Sequence, residues 1–352
     1  MVSDKRHGDK ILIIVPAQTK KGGVYNFYQN LSLNLPANYV IYYLDNEKVK
    51  TKNKFFQTYH HFNEVKKLLK HFKIKKVILN PSLNLNSVIR DSFYVLLALI
   101  YKLEVVVFWR GWNFNNLKYL KFPYKIVTFL LFYAKTSVVL YSKIGDAYRE
   151  LGYKGNIKLM STIVNDEIFN HKIKETTKEA FNLIFLSRVE RYKGIYELLE
   201  AFAVLKLKYP NLRLIIAGYG DDSENVKREV ETRNYKDVYI SGYVTGKEKY
   251  SLLSSGDLFI FPSYSEGMPN AVLEAMAVGL PIITTRVGGL NDFFEDNVMG
   301  SFIETNNVNS IVDKVEYLML NKETRNKMSK YNIEFAKTNF NILTVTDKFL
   351  EI

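Results

Sequence analysis

The sequence predicts an α/β protein with two doubly wound parallel sheets. Three observations carry this reading. Short β-branched runs alternate with longer helical patterns along the chain. The scheme occurs twice, on either side of a polar, highly charged stretch, Asn165–Lys178, which reads as the linker. The length of 352 residues suits two domains, at roughly 100–200 residues each. With 47% hydrophobic and 24% charged residues, the composition excludes a disordered chain or a collagen-like repeat. The absence of Cys excludes thiolate metal sites, thiol catalysis and disulfides, and fits a reducing compartment.

In the first half, strands are expected at Ile11–Val15, Val40–Leu44, Lys76–Leu79, Glu104–Phe108 and Ser137–Leu140, and helices near 24–34, 61–72, 86–101, 114–134 and 144–151. In the second half the strands are Asn182–Leu186, Leu212–Ala217, Val238–Ser241, Leu258–Phe261 and Pro281–Thr284. Its helices fall near 194–209, 222–235, 246–255, 270–278, 307–320 and 323–337. Alternation of this kind implies parallel strands joined by right-handed crossovers. The expected domains are 1–165 and 166–335. The opening MVSDKRHGDK places charges before a short apolar strand, so no signal peptide is expected. No apolar run reaches ~18 residues, so no transmembrane helix is expected.

The net charge of +13 is unevenly placed. Residues 1–162 carry 26 Lys/Arg against 9 Asp/Glu, a balance of +17, and residues 163–352 carry 23 against 27, a balance of −4. Such asymmetry suits an anionic partner for the first half, or a merely solvated lysine surface. The run NFNNLKYLKFPYKIVTFLLFYAK interleaves Lys118, Lys121 and Lys125 with aromatic residues. This pattern suits peripheral contact with an anionic membrane, or a core helix with a basic edge. The basic half contains no recognition helix, RNA-binding motif or compact arginine tract, so a nucleic-acid partner is not expected.

Ligands of doubly wound sheets bind beyond the carboxyl ends of the strands, and two facing domains would place them in the cleft between. After the first strand, Gly22 and Gly23 precede a helix, which suits an anion at its start or a simple turn. In SRVERYKG, Arg188 and Lys193 leave a strand close to a helix start. Two such cations suit a diphosphate clamp, or an ordinary solvated loop. Gly218 and Gly242 end the next two strands. The strongest signal is PSYSEGMPNAVLEAMAVGLPIITTRVGG. Here Glu266 lies in the loop after a strand, and Gly267, Met268, Pro269 and Asn270 lead into a helix that carries Glu274. The amides of a helix start are free to bind oxygen ligands, and a carboxylate accepts hydrogen bonds from vicinal hydroxyls.

At these residues the chain resembles the GT4 family of retaining glycosyltransferases, through the Glu266-x7-Glu274 spacing, SRVERYKG, IAGYGDD, SGYV and KKGGV. The resemblance implies the GT-B architecture of two facing Rossmann-like domains with an interdomain cleft. The N-terminal domain would bind the acceptor, the C-terminal domain the donor, and residues 336–352 would form a helix returning to the first domain. It implies a transferase that moves a sugar from a UDP- or GDP-type donor to a glycan or polyprenyl-linked acceptor, and the lack of a metal-ligand set makes it metal-independent. Polysaccharide or glycoconjugate synthesis at the cytoplasmic side of the cell membrane is the implied setting. By matching position, Glu266 would contact the transferred sugar and Glu274 the ribose. Arg188 and Lys193 would bind the diphosphate, and Gly267–Asn270 the sugar hydroxyls. Tyr243 and Val244 would line the base pocket, and Gly23 would let backbone approach the phosphate.

One departure from the family matters most. Where many members carry His before Gly, this chain has Arg110 before Gly111. Arginine stays protonated and cannot serve as a general base. Arg110 is therefore expected either to bind an anionic group or to pair with a neighbouring carboxylate. None of the five His residues forms a ligand-spaced set with carboxylates, so neither a metal nor a cofactor is expected. The competing reading is a non-catalytic nucleotide-sugar binding module, which altered Glu266 or Lys193 would favour.

Overall fold

A computed structural model describes residues 8–16, 23–45, 49, 53–171 and 180–352. The chain divides into two units. The first comprises Met1–Thr162 with Val345–Ile352, and the second comprises Ile163–Thr344. The second unit thus continues past residue 335.

The first unit contains β1 (Lys10–Pro16), α1 (Gly23–Ser32), β2 (Tyr39–Leu44), α2 (Lys54–His71), β3 (Ile74–Leu79), α3 (Leu85–Ile100), β4 (Glu104–Phe108), α4 (Lys125–Thr128), β5 (Thr136–Val139), α5 (Ser142–Glu150) and β6 (Asn156–Leu159). The strands pair in parallel in the order β2-β1-β3-β4-β5-β6. β1 and β4 are apolar nearly throughout because both of their faces are covered. The chain order reverses direction in the sheet at β1 and β3. Their carboxyl ends are held together by Asn80, whose amide donates to the Ile14 carbonyl at 3.0 Å and whose oxygen accepts from the Tyr28 hydroxyl at 2.6 Å.

The second unit contains β7 (Phe181–Leu186), α6 (Ile195–Lys208), β8 (Leu212–Ala217), α7 (Ser223–Thr232), β9 (Val238–Gly242), α8 (Gly246–Ser254), β10 (Leu258–Phe261), α9 (Asn270–Val278), β11 (Ile282–Thr285), α10 (Leu290–Phe293), β12 (Gly300–Ile303), α11 (Val308–Leu320) and α12 (Lys322–Asn339). Its parallel order, β9-β8-β7-β10-β11-β12, is 3-2-1-4-5-6 counted within the unit. This is the Rossmann order, and its switch point lies where β7 meets β10. Two apolar layers cover the sheet. One is built around α9, with Leu273 and Met276, and the other around α6, with Leu198 and Phe202. The last helix, α13 (Ile342–Leu350), carries Phe349 into the first unit, against the rings of Phe27, Tyr28 and Tyr39.

Three expectations need correction. The helix expected over 114–134 is a 3-10 helix at Phe114–Leu120, then the single turn α4, then a 3-10 helix at Phe129–Tyr133. Pro123 has no amide hydrogen and cannot continue the ladder, so the segment breaks there. The strands β6 and β12 were missed. Both are four-residue edge strands, too short to show a period. The expected linker begins with structure: Asp166–Asn170 is a 3-10 helix that buries Ile168 in the second core, and residues 172–179 lie outside the described residues.

Candidate functional site

The second unit's chemistry gathers at its switch point. Beyond β7 the chain makes a 3-10 turn, Arg191–Lys193, that ends on Gly194 at φ +73°. A Cβ there would stand 2.2 Å from the Pro262 carbonyl oxygen, so only glycine lets this turn lie against the end of β10. The close approach buries Lys193. Its Nζ lies 2.5 Å from Glu266 Oε1 and 4.8 Å from the Tyr192 ring centroid. The Ser263 hydroxyl, fully buried, donates to the same carboxylate oxygen at 2.8 Å. Glu266 thus enters the site with one oxygen already doubly bound.

Arg188 is exposed, and its guanidinium is tethered by Glu190 Oε1 at 2.6 Å and by the Tyr192 hydroxyl. Burial first, and then the Glu190 carboxylate, push the Tyr192 phenol up to about 12. The Tyr264 amide donates to the Tyr192 carbonyl at 2.8 Å, joining the Arg188 and Glu266 loops.

Gly218, at φ +131°, ends β8. A Cβ there would stand 1.7 Å from the Ser187 carbonyl oxygen, and its amide donates to Gly242 at 2.7 Å. This draws the carboxyl ends of β7, β8 and β9 together. Beyond β9, Tyr243 is exposed. The Val244 side chain is buried in the core, leaving only its backbone for a ligand. α9 follows Pro269 with no side-chain cap, so its first amides have no side-chain acceptor. Gly267 is held by the Gly289 amide at 2.7 Å, and Met268 packs on the core. Glu274, in the second turn of α9, pairs with Lys249 Nζ of α8 at 2.6 Å.

The first unit offers a contrasting arrangement at the carboxyl end of β4. The Arg110 amide donates to the Pro81 carbonyl at 2.9 Å, and the guanidinium lies over the rings of Phe27, at 4.1 Å, and Phe108, at 4.4 Å. Its Nε and Nη1 are buried and have no hydrogen-bond partner among the described residues. Burial holds the guanidinium down at about 10, and the Tyr28 oxygen opposes this only in part. The carboxylate partner considered from sequence does not appear among the described residues. Gly23 opens α1 in this unit, and Gly22 lies outside the described residues.

The structure therefore brings Lys193, Glu266 and Arg188 to one edge of the second sheet, with α9 and Glu274 following. Arg110 and Gly23 belong to the first unit. Sequence reasoning missed Lys249, Ser263, Glu190 and Tyr192. Tyr192 and Glu190 stand inside the quoted SRVERYKG string, but nothing in one sequence ties Lys249 to Glu274, 25 residues away. Among the described residues no three His, Asp or Glu side chains gather as a metal site would require.

Architecture and comparison agree at this point. The fold matches that of Anabaena HepE in complex with UDP and glucose, with a TM-score of 0.76 and 14% identity over 98% of this chain and 99% of that one. The likeness gives the architecture as the GT-B fold. Residues 166–335 match the family "Glycosyl transferases group 1". An uncharacterized glycosyltransferase of Methanocaldococcus jannaschii is 26% identical over 211 residues, covering 59% of this chain and 53% of that relative. The capsular polysaccharide biosynthesis glycosyltransferase CapM of Staphylococcus aureus is 28% identical over 167 residues, 45% of this chain and 43% of that protein. The chain thus spans about half the length of these curated relatives or less.

Proposed function

We propose that the chain is a retaining, metal-independent glycosyltransferase of the GT4 type. It moves a sugar from a UDP- or GDP-linked donor to a hydroxyl of a glycan or polyprenyl-linked acceptor in cell-surface polysaccharide or glycoconjugate synthesis. The carrying observation is the buried Lys193–Glu266 pair at the Rossmann switch point, within the family-matched residues. The second unit takes the donor. Glu274, braced by Lys249, accepts hydrogen bonds from the ribose hydroxyls. The α9 amides and Glu266 take the sugar hydroxyls. Lys193 and Arg188, held by carboxylates at rest, turn to the diphosphate.

In the reaction the bond from the sugar's anomeric carbon to the diphosphate oxygen breaks. The two cations stabilise the charge that collects on the leaving group. The acceptor oxygen bonds to the same face of that carbon, and its proton passes to the departing phosphate oxygen. No protein base is required, which accommodates Arg110. A hydrolysis and binding screen of UDP- and GDP-sugars tests this reading. The expected outcome is saturable binding of one donor, turnover unaffected by EDTA, and a product that keeps the donor's anomeric configuration. No binding across the screen would reject the reading.

The acceptor side falls to the first unit, at a membrane surface. Phe122 (82% exposed), Ile126 (67%) and Tyr133 (61%) stand out beside Lys118, Lys121 and Lys125. Apolar side chains of this kind enter the interface while lysines meet lipid phosphates, each worth up to ~1 kcal/mol. Among the described residues no helix is long and apolar enough to cross a membrane, so the contact proposed is peripheral, at the inner face of the cell membrane. Flotation with anionic vesicles at low salt tests it. Wild-type protein should float, and Lys118/Lys121/Lys125→Glu should stay with the soluble fraction.

A further inference from the structure

Among the described residues Arg110 is a charge without a counterpart. An arginine carries five N–H donors, and burying them without acceptors is costly. Two of its three nitrogens are enclosed and unpartnered, while the residue as a whole is half-buried. Its two ring contacts face the cation without supplying hydrogen-bond acceptors. It stands at the carboxyl end of β4, the strand next to β3 of the switch pair, on the edge where such sheets bind ligands. The site is also built rather than loose. The Arg110 amide is fixed to Pro81, and the next residue, Gly111, bridges to Ser82. A Cβ at Gly111 would stand 2.8 Å from the Ser82 hydroxyl oxygen, so the two strand ends are tightly apposed.

We infer that Arg110 is the anchor of an oxyanion site in the first unit, taking a carboxylate or phosphate group of the ligand. Resting on the reading that this unit holds the acceptor, this makes the acceptor an anionic one: a sugar acid or a phosphate-bearing glycan. A planar guanidinium suits both groups, because each offers paired oxygens to a fork of N–H donors.

The chain provides its own reporter. Its two tryptophans, Trp109 and Trp112, both flank Arg110 and stack edge to face at 5.0 Å. Tryptophan emission of the full chain is titrated with methyl β-D-glucuronide, methyl β-D-glucoside and inorganic phosphate. The expected result is a saturable change with the glucuronide or with phosphate, none with the neutral glucoside, and at least tenfold weaker binding in Arg110→Gln. A response to the glucuronide alone assigns a sugar carboxylate, and a response to phosphate alone assigns a phosphate group. Equal titration by glucuronide and glucoside, no titration by either anion, or an unchanged titration in Arg110→Gln would overturn the inference. Thermal melting of Arg110→Gln guards against a structural role: an unchanged or raised Tm supports the inference, and a lowered one counts against it. Glu274→Ala should leave the tryptophan titration intact. If no nucleotide sugar binds the wild type while the anions still titrate, the transferase reading fails, and the oxyanion site stands without its assignment to an acceptor.

Discussion

The two sheets present opposite electrostatics at corresponding edges. In the second unit Lys193, Arg188 and Lys249 each hold a carboxylate at 2.5–2.6 Å. In the first unit Arg110 holds none among the described residues. Paired charges are preorganised and quiet: a ligand must displace one bond to make another. An unpaired buried cation lowers the stability of the unit that carries it and gains most when an anion arrives. The first edge is thus arranged to respond to charge, and the second to shape and to charge redistribution during reaction.

Breaking the second edge should have the largest effect. Lys193→Ala leaves Glu266 partly buried without its cation. Turnover should fall by ~10²–10³-fold and stability by about 3 kcal/mol, read by initial rates and denaturant melts. The pair Lys193→Met with Glu266→Leu should recover stability without activity, separating the two roles. Full activity in Lys193→Ala would collapse the contrast between the edges.

Glu274→Ala comes next. Losing a charge-assisted hydrogen bond costs ~1.5–3 kcal/mol, so calorimetry should show nucleotide affinity reduced roughly 10- to 100-fold. Unchanged affinity would remove the carboxylate from the ribose role and leave its pair with Lys249 structural.

Arg110→Met tests the first edge and should act in the opposite direction. Burial depresses the folded-state value to about 10, well below its ordinary one, so the unfolded chain holds the proton more tightly. The resulting penalty is complete below about pH 10 and fades only as pH rises above it. At neutral pH the substitution should therefore stabilise the free protein, by about 1 kcal/mol after the lost ring contacts, or roughly 2–4 °C in Tm.

The smallest effect is expected at His61, also in the first unit. It is buried, bonded to the Tyr42 hydroxyl at 2.8 Å, and its pKa is lowered chiefly by burial. The unfolded chain therefore takes up this proton first as pH falls. The stability that neutral His61 contributes is present above about pH 6.5 and lost as pH falls below it. His61→Phe should flatten the decline of stability as pH falls below about 6.5, by less than about 1.4 kcal/mol per pH unit.

Much of this was legible in one sequence because local pattern and global fold agree. Glu104–Phe108, Leu212–Ala217 and Leu258–Phe261 are strands at the residues read from their apolar runs, and α9 keeps its bounds of 270–278. The failures have physical causes. Edge strands such as Asn156–Leu159 are short and half solvated. The segment 114–134 is apolar enough to imitate a helix, but Pro123 interrupts it. At the site, the motif residues Lys193, Glu266 and Glu274 could be named, but their partners could not. Lys249 meets Glu274 only through packing of α8 on α9, and Lys193 reaches Glu266 only because Gly194 admits the turn against Pro262. That Arg110 lacks an acceptor could be learned only from three dimensions.

The docking of Phe349 has a consequence for biosynthesis. Its ring sits 1% exposed among Phe27, Tyr28 and Tyr39, and the Ile352 carbonyl accepts from Lys76 at 2.7 Å. The first unit is thus assembled from residues translated before the second unit together with residues translated after it. The second unit is one contiguous stretch, complete by Thr344. On a translating ribosome the usual N-to-C order is inverted: the later unit can close first, while the earlier one waits with its α1 aromatics uncovered.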